Sequence, residues 1–144
     1  MKYLFLVIQL LILHTVYAQN PLEKDPWSKK QLMEPSHLIN LLNNNKIKPI
    51  ILNIGVENNI KGAIKVGAAK HKVNLTKLEN EIKKYPKNAL IVLYCGCCPF
   101  DKCPNIRPAF SILSKNKYKQ FYLLHLPHNI RTDYIEKGFP MASN

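Results

Sequence analysis

The chain has 144 residues, a formal net charge of +12 and 47% hydrophobic residues. A basic balance of this size can serve nucleic acid, anionic surfaces or anionic small molecules. Here the lysines are scattered among Asn and Ile, and no arginine-rich stripe interleaves with aromatics. That argues against nucleic acid and leaves solvated lysine faces as the simplest account.

Residues 1–18, MKYLFLVIQLLILHTVYA, set Lys2 before an apolar run from Tyr3 to Leu13 and close on Ala18. The layout predicts a secretory signal peptide cleaved near Ala18, because the apolar core is short for a membrane span. The expected product is exported, periplasmic or secreted, and meets the membrane only through the signal peptide before cleavage. What remains is enough chain for one domain with one core. Nothing in the pattern of residues sets an oligomeric state.

Residues 19–34 read as an extended lead-in, with Trp27 placed to pin it to a domain over 35–144. Pro35 followed by Leu38, Leu41 and Leu42 at helical spacing predicts a first helix. KPIILNIG, closed by Gly55, suits a strand buried on both faces. VENNIKGAIKVG reads as a loop with a short extended piece. NLTKLENEIKKYP predicts an amphipathic helix with Asn74 as its N-cap and a stripe of Leu75, Leu78 and Ile82. NALIVLY is a second buried strand, and helical spacing resumes at Ile106, Phe110 and Leu113. KQFYLLHL is a third strand, and NIRTDYIEKGFP a short helix stopped by Gly138 and Pro140. Such alternation predicts an α/β domain with a central, mainly parallel sheet flanked by helices on both faces.

All four cysteines lie between the second strand and the next helix, in CGCCPFDKC from Cys95 to Cys103. Disulfides that staple small domains join distant segments, and these thiols are too close together for that. Chemistry, or local shaping of one loop, is the better reading. Ligands of open α/β sheets bind beyond the carboxyl ends of the strands, where Cys95 emerges. A helix N-terminus there favours an anion and lowers a thiol pKa, and Arg107 adds forked donors for an oxyanion. His125 and His128 flank Leu126-Pro127 beyond the third strand and read as surface or hydrogen-bonded structural histidines.

IVLYC followed by an arginine at the entry to a helix resembles the active-site loop of the rhodanese family. NNIKGAIKVG is similar to that family's H-I-P-G-A stretch upstream of the loop, and PIILNIG to its first core strand. The resemblance covers roughly residues 35–140 and implies a single rhodanese-like domain that carries sulfur as a cysteine persulfide. By position it makes Cys95 the nucleophile and Arg107 the anion-binding residue, with Cys103, nearer Arg107, as the rival nucleophile. Gly96, Cys97, Cys98, Lys102 and Asn105 would form the substrate-binding loop. The implied partner is a small anionic sulfur donor or a protein thiol, with no metal or other cofactor. This chain departs from the family's compact C-x-x-G-x-R loop by separating Cys95 from Arg107 by eleven residues. Asn53 stands where an Asp is usual, and Lys61 where the Pro of H-I-P-G-A would be.

Two other chemistries fit the cysteines. Cys95 and Cys98 form a C-x-x-C after a strand, as in thiol–disulfide oxidoreductases. Clustered thiols also suit soft metals, although the adjacency of Cys97 and Cys98 is awkward for one tetrahedral four-cysteine centre.

Overall fold

The computed structural model describes residues 25–44, 47–57 and 60–143. The expected signal peptide and its expected cleavage point, the first part of the lead-in, and Asn58 and Asn59 of NNIKGAIKVG lie outside these residues. Five strands form one sheet: β1 (Leu32–Met33), β2 (Ile50–Asn53), β3 (Ile64–Lys65), β4 (Leu90–Tyr94) and β5 (Gln120–Leu124). Their order is β1-β5-β4-β2-β3, and every pairing is parallel. The fold is therefore the expected α/β domain.

β4 lies at the centre because it can. Its five residues LIVLY carry no polar side that water would claim, so both faces accept cover. Side chains alternate across the sheet. Ile91 and Leu93 join Leu52, Phe121 and Leu123 in a core with Leu78 and Ile82 of α2 (Lys72–Ile82) and Ala109, Phe110 and Leu113 of α3 (Ile106–Lys115). Ile51, Val92, Tyr94 and Leu124 face the other way, onto Leu38 of α1 (Pro35–Asn43) and onto Ile130 and Tyr134. Among the described residues no helix is long and apolar enough to cross a membrane.

Three expectations are refined. The end of the lead-in is part of the sheet, since Leu32 and Met33 pair with Leu123 and Leu124 of β5. Trp27, buried in the core, stacks edge-on to Phe110 and tilted against Phe100. Asn74 is not the N-cap of α2, because His71 occupies that position and its carbonyl accepts from Asn74 and Leu75 N–H. Instead the Asn74 side chain donates to the Ala68 carbonyl, over Gly67, whose φ of +96° suits only glycine there. The last short helix is a single π-type turn, Arg131–Ile135, closed at Gly138 with φ +75°.

Candidate functional site

Cys95 follows Tyr94 directly at the carboxyl end of β4, and its side chain is 1% exposed. The chain then turns back sharply. Gly96 lets the chain pass close against Ile130: a Cβ there would meet Ile130 Cγ2 at 2.7 Å, while the Gly96 carbonyl accepts from Ile130 N–H. The turn brings Cys97 Sγ to 3.4 Å from Cys95 Sγ, and Cys98 Sγ to 3.1 Å from Cys97 Sγ. After a 3-10 turn, Phe100–Lys102, the buried Cys103 returns to the same spot just before α3. All four cysteines are free thiols. Gly55 lies against the deepest of them, since a Cβ on it would meet Cys95 Sγ at 2.8 Å.

Asn105 organises the deep thiols. It stands at the N-cap position of α3, yet its side chain makes no capping bond to the helix. The Lys70 N–H donates to its Oδ1 at 2.8 Å, which fixes the amide so that Nδ2 donates to Cys95 Sγ at 3.2 Å and Cys103 Sγ at 3.6 Å. Hydrogen bonds to the charged form lower a thiol pKa. Donation from Cys103 lowers Cys95 most, and burial opposes it; Asn105 and Cys97 add to the lowering and bring Cys95 to about 6. Partial burial of its sulfur, with the bonds to Cys98 and Cys95, pushes Cys97 up to about 12. Cys103 is pushed upward too, first by its bond to Cys95 and then by burial. Of these three sulfurs, Cys95 is the one that gives up its proton most readily.

The remaining expected residues are placed differently. Arg107, in the first turn of α3, gives Nη2 to Asp25 and lays its guanidinium over the Trp27 ring, 5.1 Å from the centroid. Its Nη1 is buried and has no hydrogen-bond partner among the described residues. Lys102 and Asp101 are exposed on the 3-10 turn, and Cys98 is half-buried. The histidines are committed elsewhere: His125 Nδ1 meets Glu34 at 2.6 Å and His128 Nδ1 meets Asp133 at 2.9 Å. Burial raises Asp133, but bonds from His128 and Asn129 outweigh it and hold the carboxyl below the usual range. Asn53 uses its amide locally: Nδ2 donates to the Glu57 carbonyl and Oδ1 accepts from Gly55 N–H.

Gly55 and Asp25 carry weight in this arrangement that their surroundings in sequence do not advertise. A small residue directly after a buried strand was the one available signal for Gly55. Two clefts, about 530 Å³ beside Lys48 and Lys61 and about 270 Å³ beside Lys77 and Lys84, have no cysteine in their linings.

No family model and no curated protein matches the chain. Among solved structures, a full-length protein from Lactobacillus plantarum is similar, with a TM-score of 0.56 and 14% identity over 80% of this chain and 89% of that one. At that identity the likeness speaks for the fold alone.

Proposed function

We propose that the protein is a rhodanese-like sulfurtransferase that carries sulfane sulfur on Cys95. The observation that supports this most directly is the set of donors, Cys103, Asn105 and Cys97, around one sulfur at the strand's carboxyl end. A thiolate is the nucleophile in such chemistry, and this environment supplies one at neutral pH. With thiosulfate, Cys95 S⁻ attacks the outer sulfur, a new S–S bond forms, and the sulfur–sulfur bond of the donor breaks. Sulfite leaves with the electron pair, and Cys95 holds a persulfide anion. The same donors then stabilise the persulfide's charge. An acceptor thiolate takes the terminal sulfur and returns Cys95 to its starting state.

In this reading Arg107 receives the donor's oxyanion once its guanidinium leaves Asp25, since Nη2 is engaged by Asp25 and Nη1 is buried, without a hydrogen-bond partner among the described residues. The leader-like residues 1–18 would put the reaction outside the cytoplasm, and N-terminal sequencing of protein from the producing cell should then begin near Gln19. The test of the chemistry is intact mass of the purified reduced protein, before and after thiosulfate and again after reductant. A reversible gain of one sulfur atom on Cys95 is expected. A disulfide mass with no sulfur adduct would instead favour thiol–disulfide exchange, for which the 3.4 Å approach of Cys95 and Cys97 is the supporting contact.

A further inference from the structure

The adjacency of Cys97 and Cys98 hides a ligand set that the folded chain brings together. The sulfurs of Cys95, Cys97 and Cys103 all lie within 4.8 Å of one another, and Cys98 is not a member of that trio. The difficulty of fitting four clustered cysteines round one tetrahedral ion disappears once only three are used. We propose that Cys95, Cys97 and Cys103 form a three-thiolate site for a single Cu(I) ion.

The donor set decides the class of ion. Three sulfurs with no histidine or carboxylate among them make a soft site, which favours Cu(I), Zn or an iron–sulfur cluster over hard cations. Iron–sulfur clusters are ordinarily held by four protein ligands. A closed zinc site also takes four, and a three-ligand zinc site keeps an open position for water. Two of the three residues, Cys95 and Cys103, are 1% and 2% exposed, whereas Cys97 is exposed, so water reaches the cluster only from the Cys97 side. An ion satisfied by three soft donors, with no fourth ligand to be found on the buried side among the described residues, fits that arrangement. Cu(I) is such an ion.

The surroundings are those a metal site needs. Ligands are ordinarily held in place by hydrogen bonds from outside the first layer of donors. Asn105 supplies them to two of the three sulfurs, and the Lys70 N–H holds Asn105 itself. Gly55 leaves room beside Cys95 Sγ that any side chain would take. The three ligands come from different places: the tip of β4, the turn after it, and the residues leading into α3. A bound ion would therefore tie a central strand to a helix. This inference does not depend on sulfur transfer, although the two uses compete for Cys95.

The test is an anaerobic titration of the purified, fully reduced protein with Cu(I) supplied from a chromogenic chelator. Expected are transfer of one equivalent, a copper absorption edge with sulfur-only three-coordination, and a higher thermal midpoint in the loaded protein. Cys98→Ser should bind as tightly as the wild type. Asn105→Ala, which keeps all three thiols, should bind about 10- to 100-fold more weakly. Cys97→Ser, at an exposed position, should lose the ion while keeping the far-ultraviolet dichroism of the fold. The proposal is overturned if the chelator keeps all the copper, or if Cys98→Ser loses as much affinity as Cys97→Ser, which would place the ion on the outer vicinal pair. Zn(II) displacing Cu(I) in the same titration would also overturn it. Sulfur uptake measured on the metal-free protein is a separate readout, so failure of one use does not entail failure of the other.

Discussion

The loop between β4 and α3 begins at a cysteine and ends near an arginine, and the fold treats its two ends differently. At the first end, Cys95 is buried among donors from the loop and from Asn105. At the other, Arg107 is partly exposed and is engaged by Asp25 and Trp27, eighty or more residues away along the chain. One end has its charge generated by the protein itself; the other has its charge already answered by the lead-in. With eleven residues between them, the two ends are free to adopt separate partners. Under the proposed function the thiol end carries the reaction and the arginine end the choice of donor, while the contacts of Arg107 with Asp25 and Trp27 anchor the N-terminal segment.

Substitutions at the two ends should separate these roles. The largest effect is expected from Cys95→Ser, which should abolish persulfide formation in the mass assay and leave the far-ultraviolet dichroism unchanged, because a hydroxyl fits the space but is not ionised. Equal loss in Cys103→Ser but not in Cys95→Ser would move the nucleophile to the other deep thiol. Trp27→Ala comes next: it empties an aromatic slot against Phe100 and Phe110 and should cost about 3 kcal/mol in denaturant unfolding. If unfolding is unaffected, the lead-in does not anchor the arginine end.

Asn105→Ala removes a donor to Cys95 and leaves the Lys70 N–H without its acceptor, at a cost of about 1–3 kcal/mol. It should also raise the Cys95 pKa. Sulfur uptake would then slow at neutral pH and recover towards the wild-type rate in alkaline buffer, where the thiol ionises without help. An equal slowing at every pH would mean that Asn105 only supports the fold. The smallest effect is expected from Asp25→Asn, which removes a half-exposed ion pair worth about 0–1 kcal/mol. Its signature should be tighter use of thiosulfate with little change towards an uncharged persulfide donor, since Arg107 is released. No change in that ratio would take Arg107 out of donor recognition.

The sheet was legible because its signals are local. ALIVLY has no polar alternation and became the central strand, and Leu38, Leu41 and Leu42 line one face of α1 against the core. β1 was hidden because two residues carry no period, and only β5 beside them makes Leu32 and Met33 a strand. Asn74 misled for a related reason: the helix start is set by where the His71 carbonyl falls, not by the best capping residue nearby. In the loop, the sequence showed that four thiols gather but not which of them meet. C-x-x-C spacing pairs Cys95 with Cys98, whereas the bend that follows Gly96, itself packed on Ile130, brings Cys97 to Cys95 first. Asn105 as a thiol donor and Asp25 as the partner of Arg107 are tertiary facts with no spacing to announce them.

The most direct measurement of the central claim is a site-resolved alkylation rate for each cysteine across pH, read by peptide mass after brief pulses. Because Cys95 is lowered from 9.0 to about 6, it should be protonated and slow in mild acid, gain rate as pH rises through about 6, and level off near neutrality. Cys103 and Cys97 are held protonated and should not share that midpoint. A Cys95 profile that rises only near the ordinary thiol value, or a low midpoint found on Cys103 instead, would contradict the assignment of the reactive sulfur to the end of β4.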